Sequence, residues 1–135
     1  DIAKRVKQIN PRVIFHVDGV QAYGKLPFRL AKEIDTYSIS AHKIGGLKGV
    51  GALIKRKSLQ IAPYIIGGGQ ESGRRSGTEN VFAMKQFEYA ATTKFATLKA
   101  DFERLKDYRE LLWDMLDKDV FVRLSGVWYS DENNR

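Results

Sequence analysis

Thr36-Tyr37-Ser38-Ile39-Ser40-Ala41-His42-Lys43-Ile44-Gly45-Gly46 reads as a short strand, Thr36 to Ser40, running into a small, glycine-rich turn that holds a lysine. Upstream, Val13-Ile14-Phe15-His16-Val17 is apolar and β-branched, and predicts a buried strand that delivers Asp18 at its C-terminal end. Between the two strands stand a short helical turn over Gly19 to Tyr23, a loop at Gly24-Lys25-Leu26-Pro27, and a short amphipathic piece carrying Phe28, Leu30, Ala31 and Ile34. Strand, crossover and strand make the pattern of an α/β sheet, whose ligands bind outside the carboxyl ends of parallel strands. Asp18 and Lys43 both occupy such ends and are one crossover unit apart, so the fold lets them face one cleft. Gly51-Ala52-Leu53-Ile54 follows as a third strand, close enough to pair antiparallel with Thr36 to Ser40 or a near neighbour. Ahead of them all, Ile2, Val6 and Ile9 recur at helical spacing until Asn10-Pro11 ends the helix.

A lysine after a strand is usually a solvated surface residue. Lys43 differs in its neighbours, since Ser40 and His42 bring a hydroxyl and an imidazole, and Gly45 and Gly46 let backbone approach a bulky group. A lysine amine condenses with an aldehyde only as the free base, a form that partial desolvation favours. Asp18 taken alone is a turn or helix-cap carboxylate, and the pair is more informative than either residue. Further on, Ile66-Gly67-Gly68-Gly69-Gln70-Glu71-Ser72-Gly73-Arg74-Arg75-Ser76-Gly77-Thr78 mixes glycines, guanidinium groups and hydroxyls. Such a loop suits phosphate or carboxylate, with a flexible linker as the alternative.

The net charge of +7 raises a nucleic-acid partner, but Lys and Arg are spread along the chain without aromatic interleaving or a binding motif. The densest basic run, Lys55-Arg56-Lys57, reads as a solvated turn after a strand rather than a phosphate contact. No cysteine is present, which removes disulfides, thiolate metal sites and cysteine nucleophiles from this chain. His16-x-Asp18 lacks a third ligand, so we expect no metal site and a hydrogen-bonded strand histidine. No apolar run approaches the roughly 18 residues of a membrane span, and the expectation is a cytoplasmic protein. The chain lacks an initiator Met and opens on an amphipathic segment already under way, which suggests a piece of a longer polypeptide.

From Glu79 to about Lys118 neither Gly nor Pro occurs, while Phe95, Leu98, Phe102, Leu105, Leu112 and Leu116 keep near-helical spacing. This predicts a long connecting helix, of about 60 Å if unbroken, with a coiled-coil partner as the sharper alternative. Val120-Phe121-Val122-Arg123-Leu124 then alternates like the first strand of a further domain.

Four segments together carry a resemblance. Phe15-His16-Val17-Asp18-Gly19-Val20-Gln21-Ala22, Ser40-Ala41-His42-Lys43, Lys48-Gly49-Val50-Gly51-Ala52-Leu53, and Gly67-Gly68-Gly69-Gln70-Glu71 through Arg75-Ser76-Gly77-Thr78-Glu79-Asn80-Val81 are similar to those of cysteine desulfurases. These are the NifS and IscS-type enzymes of the class V aminotransferase family. The likeness runs in consistent order from the first residue to about Leu124, and four linked motifs are far more specific than one lysine turn.

The resemblance implies pyridoxal 5'-phosphate held in the large domain of a fold-type-I transferase, a mainly parallel sheet flanked by helices. Residues 1–78 would be the C-terminal part of that domain, 79–118 the connecting helix, and 119–135 the start of an incomplete small domain. Lys43 would bind the cofactor covalently and move protons. Asp18 would pair with the pyridinium nitrogen so that the ring can accept electron density, and Gln21 would bond the phenolic oxygen. Ser40 and His42 would hold the phosphate, and Thr78 resembles the threonine by which the partner subunit of a homodimer reaches it. Ser72 departs from the family pattern, standing where an arginine is common.

The parent enzyme would convert L-cysteine to L-alanine and leave persulfide sulfur for a sulfur-acceptor scaffold protein, feeding iron-sulfur cluster or thiolation pathways. No direct nucleic-acid or membrane partner is implied. The sulfur-accepting cysteine, the arginine for the substrate carboxylate and the residues that stack on the ring all lie elsewhere in the family pattern, so the isolated chain is expected to be inactive. A selenocysteine lyase or another enzyme of the family is the nearest alternative, and a non-catalytic dimerising module is a third reading.

Overall fold

The computed structural model describes residues 1–116; the strand expected at Val120 to Leu124 and the small domain expected from 119 onward lie outside them. The chain falls into two compact units, Asp1–Leu98 and one that starts at Lys99.

In the first unit, α1 (Ile2–Ile9) stops where the sequence requires. Asn10 takes φ −142°, the extended backbone that a following proline imposes, while its N–H still donates to Val6 O. Three strands follow: β1 (His16–Asp18), β2 (Thr36–Ser40) and β3 (Gly51–Lys55). They form one sheet in the order β1-β2-β3, with β1 parallel to β2 and β3 antiparallel to it. The sheet is therefore mixed, and β2 is central with the bounds expected of it. β1 is shorter than the Val13 start predicted for it and is not buried, with His16 and Asp18 exposed, and Val13 and Ile14 ahead of it are 36% and 59% exposed. Side chains divert the polar groups that would extend it: Lys7 Nζ donates to Val13 O at 2.6 Å, and Phe15 N–H donates to Asp35 Oδ2 at 2.7 Å.

The amphipathic piece at Phe28 to Ile34 does not form a helix either. A single turn closes in it, with Ile34 N–H donating to Ala31 O at 3.1 Å, and the Arg56 guanidinium also donates from Nε to Ile34 O at 2.9 Å and from its terminal nitrogen to Ala31 O. Arg56 N–H also donates to Asp35 O at 2.8 Å, closing the chain over the start of β2.

The core lies on one face of the sheet. Tyr37, Ile39, Ala41 and Ile44 are buried, as are Ala83 and Ala90 of α3 (Val81–Met115). Tyr23 joins them edge-on, with ring centroids 5.5 Å from Phe28 and 5.1 Å from Phe95, and Phe28 meets Tyr37 at 5.0 Å. Burial pushes the Tyr23 phenol up from its ordinary value. Helix α3 begins after Asn80, whose Oδ1 accepts from Ala83 N–H at 3.0 Å and caps the first turn. Before it, α2 (Gln70–Gly73) is a single distorted turn.

In the second unit the described residues continue α3, with an Arg104–Asp101 ion pair of 2.8 Å one turn apart and with Leu105, Leu111 and Leu112 exposed. No helix among the described residues is long and apolar enough to cross a membrane.

Candidate functional site

Alternation along β2 puts Tyr37 and Ile39 on the packed face and Thr36, Ser38 and Ser40 on the other. Each of these three hydroxyls meets an ionisable side chain. His16 Nδ1 lies 2.9 Å from Thr36 Oγ1, and Ser38 Oγ donates to Asp18 Oδ1 at 3.1 Å. At the end of the row Ser40 Oγ and His42 Nδ1 are 2.8 Å apart. The first two pairs follow directly from the parallel register, which sets His16 beside Thr36 and Asp18 beside Ser38.

Asp18 is fixed from a second direction by Val20 N–H, which donates to the same Oδ1 at 3.1 Å in an Asx turn. Gly19 N–H donates to Ser38 O at 3.0 Å, so the chain hugs β2 as it leaves β1. Only glycine fits there: a Cβ at position 19 would sit 1.9 Å from Tyr37 Cζ. The Tyr37 phenol is pushed up, mainly by burial and then by the Asp18 charge. Gly19 to Tyr23 does form the expected turn, with Ala22 and Tyr23 N–H both donating to Gly19 O. Gln21 is exposed on it, and its Oε1 accepts from Lys25 Nζ at 2.9 Å, which turns the amide's NH₂ outward as a donor.

After β2 the chain makes a 3₁₀ turn, Ala41–Ile44, whose Ala41 and Ile44 are buried. Those two anchors fix the intervening His42 and Lys43. Gly45 ends the turn at φ 90°, a left-handed conformation natural to glycine, and Gly46 N–H donates to Ala41 O at 2.9 Å. The return strand then passes close by, because a Cβ on Gly51 would lie 2.6 Å from Ile39 O. Lys43 is half-buried, and among the described residues no group pairs with its ammonium.

The structure thus brings Asp18, Ser40, His42 and Lys43 to the ends of adjacent parallel strands, with Gln21 in the turn that follows β1. Thr78 stands apart in an exposed segment ahead of α3, without a hydrogen bond to any of them. The glycine-rich stretch before it is held by its own contacts: Gln70 Oε1 accepts from Gly77 N–H at 3.1 Å, and Ser76 N–H donates to Ile65 O at 3.0 Å. Arg75 turns back to Gly77 O at 3.3 Å. A shallow groove lined by Tyr23, Ile39, Val50, Met84, Phe87 and Ala91 lies on the packed face and includes none of the candidate residues. The carboxylates of Glu71 and Glu88 also line it, and acceptors on an otherwise mostly apolar surface do not suit an anionic cofactor, whereas the hydroxyl face offers donors.

That donor set fits pyridoxal phosphate. Asp18 Oδ2 has no partner among the described residues and can accept from a ring nitrogen. Whichever tautomer His42 adopts, the Ser40–His42 pair keeps a proton free to donate to phosphate. Ser38 and Thr36 join the row beyond the residues that the sequence singles out. Their signal was available in the hydroxyls at alternate positions of a predicted strand, which must share a face. Among the described residues no group of three or more His, Cys, Asp or Glu could hold a metal ion.

The family model described as aminotransferase class-V matches residues 1–127. A cysteine desulfurase of Rhodobacter capsulatus is 50% identical over 100 residues, covering 73% of this chain and 26% of that protein. A solved NifS-like protein superimposes with a TM-score of 0.77 at 40% identity, covering 84% of this chain and 31% of its own. A NifS-like protein from Rickettsia africae ESF-5 gives a TM-score of 0.76 at 39% identity, with 84% and 32% covered. The chain therefore spans between a quarter and a third of the length of these relatives.

Proposed function

The chain belongs to the class-V aminotransferase family, and from that premise we propose that it supplies the lysine side of the pyridoxal-phosphate site of a cysteine desulfurase. The observation that supports this reading is the placement of Asp18 at the end of one strand and of Ser40, His42 and Lys43, which has no partner among the described residues, at the end of the adjacent parallel strand. When bound, pyridoxal phosphate supplies an electron-accepting ring that stabilises negative charge at the substrate's α-carbon. Asp18 Oδ2 would accept a hydrogen bond from the protonated ring nitrogen, and its charge would keep that ring cationic. The Gln21 amide donates to the phenolic oxygen. Ser40 and His42 donate to the phosphate, and Thr78 reaches the phosphate of a second subunit. Lys43 would hold the cofactor covalently and move protons at the substrate's α-carbon.

In the whole enzyme the substrate is L-cysteine. A cysteine thiolate, which this chain does not contain, takes the substrate sulfur; the C–S bond breaks, the α-amino acid leaves as alanine, and the sulfur remains as a persulfide. A sulfur-acceptor protein then removes it, in the cytoplasm and from a homodimer. On this reading residues 1–78 complete the cofactor domain, 79–118 connect it onward, and the isolated chain releases no alanine from cysteine.

The test is covalent trapping. Chain incubated with pyridoxal 5'-phosphate, reduced with borohydride and digested should carry the pyridoxyl label on the Lys43 peptide, and Lys43→Ala should lose it. Label scattered over the other lysines, or unchanged in Lys43→Ala, would overturn the assignment.

A further inference from the structure

We propose that Ser38 is a positioning residue that fixes the Asp18 carboxylate with one oxygen committed to the protein and the other presented to the ring nitrogen of the cofactor. The ring-nitrogen part rests on the pyridoxal-phosphate reading above; the fixing of the carboxylate rests on geometry alone. Asp18 is the last residue of an exposed strand, where a carboxylate is otherwise free to change rotamer. Two donors remove that freedom. Ser38 Oγ and Val20 N–H both reach Oδ1 at 3.1 Å, from a neighbouring strand and from the following turn. Donors approaching one oxygen from two elements fix both the position of the carboxylate and its plane.

The register makes the Ser38 contact reproducible. Ser38 is the pairing partner of Asp18, and its carbonyl accepts from Gly19 N–H at 3.0 Å, so its side chain cannot drift along the strand. Its neighbours on the same face, Thr36 and Ser40, are already engaged with His16 and His42 and cannot take its place. A hydroxyl carries one proton, and Ser38 commits it to Asp18. A purely structural hydroxyl would stabilise the strand pair without governing how Asp18 is presented, and the two roles separate by experiment.

In the ligand-free 135-residue chain, three-bond couplings about Asp18 χ1 should report one rotamer in the wild type and in Ser38→Thr, and an averaged value in Ser38→Ala. Averaged couplings in the wild type, or unchanged ones in Ser38→Ala, would overturn the proposal. Ser38→Cys, which keeps the shape with a weak donor, replaces Ser38→Ala if the latter fails to fold. Titration with pyridoxal 5'-phosphate forms the second arm. Ser38→Ala should bind about tenfold more weakly, the scale of one hydrogen bond to a charged group, and Ser38→Thr should recover to within about twofold. Made in the Asp18→Asn background, Ser38→Ala should cause no further loss, whereas fully additive losses would refute action through Asp18. If the chain binds no pyridoxal phosphate while the couplings still respond, the cofactor reading fails and the control of Asp18 by Ser38 stands.

Discussion

Lys7 Nζ donates to Asp35 Oδ2 across 2.6 Å, so a residue of the first helix is clasped to the residue that leads into the central strand. The same oxygen receives Phe15 N–H at 2.7 Å. The Asp35 carboxyl is held below its ordinary value, chiefly by the Lys7 hydrogen bond, then by Phe15 N–H, with burial opposing. A carboxylate with a lowered folded pKa contributes stability that is complete above its unfolded value of about 4 and is lost as pH falls through the folded value. Asp35→Ala should therefore destabilise the chain by about 2 kcal/mol at neutral pH. That gap in urea unfolding should narrow below about pH 4. A gap independent of pH would show that the clasp does not act through charge.

Gly19 and Gly45 should respond differently to alanine. At 19 the new methyl would meet the Tyr37 ring at 1.9 Å, while at 45 nothing lies within 4 Å and only the φ of 90° resists. We expect Gly19→Ala to cost about 3 kcal/mol and Gly45→Ala about 1 kcal/mol, read from thermal or denaturant unfolding. Equal costs would mean that the close approach of Gly19 to Tyr37 relaxes freely.

Ser72 lies at φ 57°, ψ 40°, between Glu71 at φ 51° and Gly73 at φ 76°. Glycine adopts this left-handed geometry without the Cβ clash, though it loses more freedom on folding. Ser72→Gly should still stabilise by about 0.5–1 kcal/mol, measured as a higher urea midpoint with unchanged slope. A lower midpoint would place the entropic term above the strain.

Ser40→Ala combined with His42→Ala should weaken pyridoxal 5'-phosphate binding by about tenfold and leave binding of dephosphorylated pyridoxal within about twofold. Fluorescence titration of both ligands decides it. An equal loss for the two would remove these residues from the phosphate.

Much of the candidate site was legible because its residues are local to two strand ends. Asp18 and the Ser40 to Lys43 segment follow apolar runs, and the rule that α/β ligands gather beyond strand ends grouped them without a structure. The strand bounds at Thr36 and Ser40 and the antiparallel return at Gly51 were legible for the same reason. Long-range side-chain competition was not. β1 starts at His16 because Lys7 and Asp35 take the polar groups of Val13 and Phe15, and the amphipathic piece at Phe28 to Ile34 closes a single turn, where Arg56 reaches its carbonyls. Each partner is distant in sequence, and periodicity within a window carries no trace of it. Ser38 was missed for a smaller reason: pairing it with Asp18 needs the register, not only the strand.

β2 is five residues long, with Asp35 and its clasp just before it and Lys43 just after. A strand of that length separates its two ends by roughly 17 Å, beyond the 7–10 Å within which substitutions commonly couple. Acid tolerance and, on the pyridoxal-phosphate reading, phosphate capture at Ser40 and His42 are thus independently adjustable traits. A variant library that varies positions 7 and 35 can be screened for robustness apart from one that varies 40 and 42 for ligand capture.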